Sequence, residues 1–150
     1  KVKEIYEIRA LLEAHAAKAC AEIADEATIS RLKDMRTVIE KAFAKNDFQR
    51  VLEYTGHFYE AMFVGGEKYV TLEVVKSLNA RINSLRFRTI SSPRRGDESN
   101  KEMRKLMDAI SRHDGLAAFE ASMAHVERAS EVALASIEKL EALESAAATR

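Results

Sequence analysis

Apolar residues recur along the chain in alternating steps of three and four, which is the spacing of an amphipathic α-helix. This pattern predicts six helical segments, and no strand-like alternation competes with them. The apolar stripes are Ile5, Ile8, Leu12, Ala16, Ala19 and Ile23; Ile29, Leu32, Met35, Ile39 and Phe43; Phe48, Val51, Leu52, Thr55, Tyr59 and Met62; Val75, Leu78, Ile82 and Leu85; Met103, Leu106, Met107 and Ile110; and Leu116, Phe119, Met123, Val126, Ala133, Ile137 and Leu140. Short connections predict an all-α antiparallel bundle of six or seven helices.

Capping and helix-breaking residues stand between these segments. They are Asp25, Asn46-Asp47, Gly65-Gly66 and Asp114-Gly115. The stretch 91–97 holds the only proline and is expected to be the one true loop. Residues 145–150 are alanine-rich and expected to be frayed.

Composition narrows the class of protein. The 150 residues suffice for one domain, 1–150, and the 24 basic residues equal the 24 acidic ones. A neutral chain is not expected to bind nucleic acid by itself. No apolar run reaches the 18–20 residues or so that cross a bilayer. A single cysteine, Cys20, fits a reducing compartment, so we expect a soluble cytoplasmic protein that makes no membrane contact.

Most enzyme signatures are missing, including nucleotide-binding glycine loops, HExxH, GxSxG and CxxC. Cys20 lies among alanines, where a small buried filler is expected. His113 is expected to be exposed in a turn, and His15 to be a core or interface residue. The arginines Arg94 and Arg95 are either solvated in the loop or able to close over an anion.

Two other histidines are candidates for a site. Glu53 precedes His57 by four residues, so the carboxylate and the imidazole stack on one helix face and could bind one metal ion. His125 has small neighbours, Ala121 and Ala129 among them, which let another helix approach closely or leave room for a ligand.

Several stretches occur in a recognisable order. They are Glu7-Ile8-Arg9-Ala10-Leu11-Leu12-Glu13, Asp25-Glu26-Ala27-Thr28-Ile29-Ser30-Arg31-Leu32, Asn46-Asp47 through His57 followed by Val64-Gly65-Gly66, Ser91-Ser92-Pro93-Arg94, Lys101-Glu102-Met103 through Ile110, and Asp114 followed by Met123-Ala124-His125-Val126-Glu127-Arg128-Ala129. This order resembles the FCD domain, the C-terminal effector-binding domain of FadR-type GntR transcription regulators. The resemblance covers about 4–133, and 134–150 is expected to extend the last helix.

The resemblance implies a helical bundle that binds a small metabolite, typically a carboxylate, in a central cavity. Such domains usually form homodimers, and many hold a divalent metal ion through one aspartate and three histidines. Ligand binding alters how an attached N-terminal winged helix-turn-helix binds its operator. That DNA-binding domain is expected to be absent from this chain, so DNA would be bound only through the missing part.

The family's metal positions map onto this sequence with departures. Glu53 takes the aspartate position, His57 the first histidine, Met103 the second and His125 the third. Met103 breaks the pattern, since a thioether is a poor ligand for a divalent ion such as zinc or nickel. The other three residues, with water or an effector carboxylate, could still complete a site for zinc or nickel. Gly56 replaces the family's usual phenylalanine, which suggests an enlarged cavity.

The resemblance also indicates residues that bind the effector. Arg9 matches an arginine of the family's first-helix motif. The fourth predicted helix carries Arg81, Arg86 and Arg88, of which one or two could point inward, and Arg81 and Arg86 are taken as the candidates. A fixed guanidinium group can hold a carboxylate through two hydrogen bonds. Met103 is expected at the same cavity. The alternative for Arg9 is a surface ion pair with Glu13.

The leading hypothesis is therefore a ligand-sensing regulatory domain without catalytic activity. Effector binding would draw helices together around Glu53, His57 and His125 and shift the dimer arrangement. A purely structural helical dimerisation module, using the long last helix, is the alternative. A metal-dependent helical enzyme, with Glu53 as general base, is a weaker one.

Overall fold

The computed structural model describes the backbone of residues 1–150 and every side chain except that of Asn79. Seven helices follow one another: α1 (Val2–Ile23), α2 (Glu26–Ala44), α3 (Phe48–Gly65), α4 (Tyr69–Ser77), α5 (Asn79–Ile90), α6 (Arg95–Ser111) and α7 (Gly115–Ala148). No strand occurs in the described backbone, and the predicted all-α bundle is confirmed. None of the helices, so far as they are described, combines the length and the apolar character needed to span a membrane.

Aspartates begin three of the helices as predicted. The Asp25 carboxylate accepts a hydrogen bond from the Thr28 backbone N–H at 2.8 Å, at the start of α2. Asp47 and Asp114 accept the equivalent bonds at the starts of α3 and α7. Each bond satisfies a backbone donor that the first turn of a helix leaves free.

The predicted fourth helix is in fact two helices, α4 and α5, that meet at Leu78. The Ser77 hydroxyl donates a 2.6 Å hydrogen bond to the Val74 carbonyl and so competes for a carbonyl of the last turn. The expected loop is also shorter than predicted, because α6 begins at Arg95.

The C-terminal helix is longer than expected. Residues 145–148 are helical rather than frayed, since α7 runs through Ala148. From Glu138 onward every side chain of α7 is exposed, so the helix projects beyond the bundle there.

Gly66 is needed for close packing rather than for an unusual backbone conformation. The left-handed residue after α3 is Glu67, with φ of 55°, and neither Gly65 nor Gly66 has a positive φ. A Cβ atom on Gly66 would lie 2.8 Å from the Cys20 backbone nitrogen on α1. The absence of a side chain therefore lets the end of α3 approach α1.

The buried face of α1 differs from the predicted stripe. Ile8 and Ile23 are exposed, and His15, expected at a core or interface position, is exposed too. The buried face instead contains Arg9 and Glu13. Helix α1 packs along α7 and against α3 and α6, so its buried charges lie at the centre of the bundle.

An arginine-lined internal cavity

A small cavity of about 40 Å³ lies inside the bundle. Every helix except α4 contributes to its wall. The lining residues are Arg9, Arg36, Ile39, Phe43, Thr55, Phe58, Tyr59, Arg86, Thr89, Ile90, Arg95, Ser99, Met103, His125 and Ala129. All four arginines among them are buried. Guanidinium groups away from water require anionic or hydrogen-bonding partners, so each of these four arginines is expected to have such a partner nearby.

Glu13 holds two of these arginines. Its Oε1 atom accepts a hydrogen bond from Arg86 Nη2 at 2.8 Å and another from Arg9 Nε at 3.2 Å. Burial opposes ionisation of Glu13, but the two arginines outweigh it and lower the pKa of this carboxyl. The Arg86 guanidinium also stacks on the Tyr59 ring, 4.5 Å from its centroid.

Glu102 connects the third arginine with the histidine. Arg95 donates to both carboxylate oxygens of Glu102, at 2.9 and 3.0 Å, and His125 Nδ1 lies 2.8 Å from Oε1. Burial disfavours the Glu102 carboxylate, yet the His125 and Arg95 hydrogen bonds hold its pKa below the usual range. Because an ionised carboxylate only accepts, Nδ1 carries the proton in this contact.

His125 is a neutral imidazole at neutral pH. Burial lowers its pKa, and the positive charge of Arg95, whose Nη2 atom lies 3.5 Å from Nδ1, acts in the same direction. The hydrogen bond to Glu102 opposes this shift without reversing it.

Arg36 is the least compensated of the four arginines. Its Nη2 atom donates to the Asn100 amide oxygen at 3.2 Å, and the Glu40 carboxylate is 4.0 Å away. That carboxylate is already paired with Arg104 through two hydrogen bonds. Burial lowers the pKa of Arg36 to about 10.

Glu53 and His57 lie elsewhere, on the exposed side of α3. Glu53 Oε1 is 3.7 Å from His57 Nε2, and both side chains are more than half exposed. They line a wide outer cavity of about 730 Å³ together with Gly56. A Cβ atom on Gly56 would meet nothing within 4 Å, so the missing phenylalanine bulk opens this outer cavity and not the internal one.

The expected convergence of Glu53, His57 and His125 is therefore not found. Phe58, one residue after His57, is fully buried and lines the internal cavity, because the bundle places that face of α3 against the core. Among the side chains that the structure describes, no three of His, Cys, Asp and Glu are grouped so that they could hold a metal ion. Binding of zinc or nickel stays a prediction.

The effector residues predicted from sequence divide in a similar way. Arg9, Arg86 and Met103 line the internal cavity. The ion pair between Arg9 and Glu13 is present, but it is buried rather than on the surface. Arg81 is exposed, because the inward face of α5 is formed by residues at other positions of the turn, including Arg86. Whether any of these residues binds an effector stays a prediction.

Sequence reasoning missed Arg36, Glu102 and the buried position of Arg95. A signal is present for Arg36, which lies between Leu32 and Ile39 at the spacing of their apolar stripe. A charged residue on such a stripe is buried with a partner or at a site. For Arg95 the apolar stripe gives no signal, because it begins only at Met103, two turns into α6.

Comparison with known families agrees with this architecture. A sequence model of the FCD domain matches residues 4–128, and the chain therefore belongs to the FCD domain family. FCD domains are effector-binding regulatory domains of GntR-type regulators. A comparison with individually curated proteins gave no significant match.

Proposed function

We propose that this chain senses a small organic acid for a GntR-type transcription regulator and that the internal cavity is the binding site. The observation that carries the proposal is the burial of Arg9 and Arg86 at a cavity to which six helices contribute. A guanidinium group held in place is well suited to bind a carboxylate through two hydrogen bonds.

The position of the cavity supports a regulatory role. A ligand in the cavity would contact helices from both ends of the chain. If the helices have two arrangements, a ligand shifts the population between them only when it binds one arrangement more tightly than the other. In a regulator of this type, the shift would change how an attached winged helix binds DNA. We place this activity in the cytoplasm, consistent with the free thiol of Cys20.

We also propose that the domain acts as a homodimer. A groove between α1 and α7 has a mostly apolar wall that includes Leu11 and Met123. Leu140 and Leu143 are exposed on the projecting end of α7. Two-fold dimers are the commonest closed assembly, and light scattering would measure the association.

A screen of thermal stability against short mono-, di- and tricarboxylic acids tests the proposed function. At least one acid should raise the melting temperature in a concentration-dependent way, because a ligand that binds only the folded state stabilises it. The screen is run with and without added zinc and nickel. If no acid stabilises the protein in any condition, the domain is a structural dimerisation module instead. Turnover of an acid would indicate an enzyme.

A further inference from the structure

A metal ion does not fit the internal cavity. Of the side chains that line it, His125 alone is a usual ligand for zinc or nickel, whereas such sites take three or four protein ligands. Phe58 and Met103 also line the cavity, and neither is a strong donor for zinc or nickel. The Arg95 guanidinium, 3.5 Å from His125 Nδ1, adds a positive charge that opposes a second cation.

The charges around the cavity do not balance. Arg95 is paired with Glu102 and, at 3.4 Å, with Glu98, and His125 is neutral. Arg9, Arg36 and Arg86, in contrast, face the one buried carboxylate of Glu13. The nearby Glu40 is itself paired with the exposed Arg104, so it adds little net negative charge. Two positive charges are left without an anion.

Several buried arginine N–H groups at the internal cavity also lack a hydrogen-bond acceptor. Five buried side-chain atoms have no hydrogen-bond partner among the described residues: the donors Arg9 Nη1, Arg36 Nε and Arg86 Nε, the Tyr6 hydroxyl and the acceptor Glu13 Oε2. Burial and the adjacent Arg9 lower the pKa of Arg86 although Glu13 acts in the opposite direction, whereas the pKa of Arg9, paired with the same carboxylate, is raised. Buried donors in native proteins normally have partners, so their clustering at one cavity indicates a ligand with acceptor atoms.

We propose that the internal cavity binds a compact dianion directly through its four guanidinium groups, with no metal ion between ligand and protein. This inference rests on the proposed function and specifies the class of effector. A dianion would neutralise the two excess charges, and its oxygens would accept from the free donors. Charge-assisted hydrogen bonds of this kind are among the strongest that proteins form.

The cavity volume limits the size of the ligand. About 40 Å³ holds about three water molecules, which suits a short dicarboxylate or inorganic phosphate. Phe43 and Ile90 line both this cavity and an outer one of about 330 Å³. A longer ligand would have to displace these two half-buried side chains.

Calorimetric titration of the 150-residue chain tests the inference. The protein is first stripped of metal with a chelator, which is then removed, and elemental analysis verifies the result. Malonate and phosphate are titrated at pH 8 and constant ionic strength, with acetate as the monoanion. A dianion should bind at least about tenfold more tightly than acetate. Whichever of malonate and phosphate binds more tightly shows whether the natural ligand carries carboxylate or phosphate groups.

Two arginine substitutions on α2 provide the matched comparison. Arg36→Gln should weaken dianion binding by at least about tenfold, whereas Arg31→Gln removes the same charge from an exposed position and should leave affinity within about twofold. If Arg36→Gln does not fold, Arg95→Lys replaces it, because lysine keeps the charge and loses the planar fork.

Three results would overturn the inference. The first is dianion binding that requires added zinc or nickel; the proposed sensor function would then stand and the direct mode would be wrong. The second is an equal loss of affinity in the Arg31 and Arg36 variants, which would place the anion outside the cavity. The third is the absence of binding by any acid with or without metal, which would remove the proposed function as well.

Discussion

Arg86 on α5 donates a 2.8 Å hydrogen bond to the Glu13 carboxylate on α1, 73 residues earlier in the chain. The same carboxylate oxygen accepts from Arg9, one turn before Glu13. One fully buried acid therefore holds two guanidinium groups at the wall of the internal cavity, and it connects two helices in doing so.

Glu13→Gln should destabilise the protein by about 3–5 kcal/mol, because it leaves two buried guanidinium groups without their anion. Urea denaturation monitored by circular dichroism measures the change. The control is Glu60→Gln, which removes an exposed partner 3.0 Å from Lys76 and should cost less than about 1 kcal/mol. Equal effects of the two substitutions would mean that Glu13 is not buried with its partners.

Gly66→Ala should be destabilising by about 1–3 kcal/mol, because the new Cβ atom would overlap the backbone of α1 at Cys20. Gly56→Ala is the matched change at an open position within α3, the helix that Gly66 follows. It should stabilise the protein by about 0.5–1 kcal/mol, since alanine is the better helix former and meets no neighbour. The melting temperatures of both variants should therefore move in opposite directions, and a shift in the same direction would contradict the packing of α3 on α1.

The thiol of Cys20 should react slowly with a disulfide reagent in the native protein. The side chain is fully buried, and burial raises its pKa to about 11, so little thiolate is present or accessible at pH 8. Release of the coloured thiolate from Ellman's reagent follows the reaction. Labelling should be fast in 8 M urea, and equally fast labelling without urea would show that α1 is not packed as described.

Acidification should lower the free energy of unfolding, because His125 takes up a proton more readily in the unfolded chain. Burial lowers the pKa of His125 in the folded protein, whereas in the unfolded chain this histidine takes up its proton near pH 6.5. Protonation therefore favours unfolding, so the contribution to stability is complete above about pH 6.5 and is lost as the pH falls below it. Arg95 and Glu102 on α6 and Glu13 on α1 are the charged groups that act on this histidine.

Denaturation midpoints between pH 5 and 7.5 measure this dependence. His125→Gln should reduce the loss of stability on acidification below pH 6.5. His15→Gln is the control, because His15 is an exposed histidine on α1. An unchanged pH profile for His125→Gln would show that this group does not titrate differently in the folded and unfolded states.

The helices and most of their ends could be predicted from the sequence. Apolar spacing and capping residues act within a few positions along the chain, so Asp25, Asp47 and Asp114 indicate where helices begin without knowledge of the packing. The break at Leu78 could not be predicted in this way, because the apolar spacing continues across it.

The site depended on the tertiary structure. An apolar stripe is expected to mark the buried face of α1, yet Arg9 and Glu13 are buried there, because Arg86 on α5 pairs with Glu13 only after the helices pack. On α3, the apolar stripe that includes Val51 and Met62 lies on the side of Phe58, whereas His57 shares an exposed face with Glu53. Spacing along one helix determines which residues share a face, but the neighbouring helices decide which face is buried.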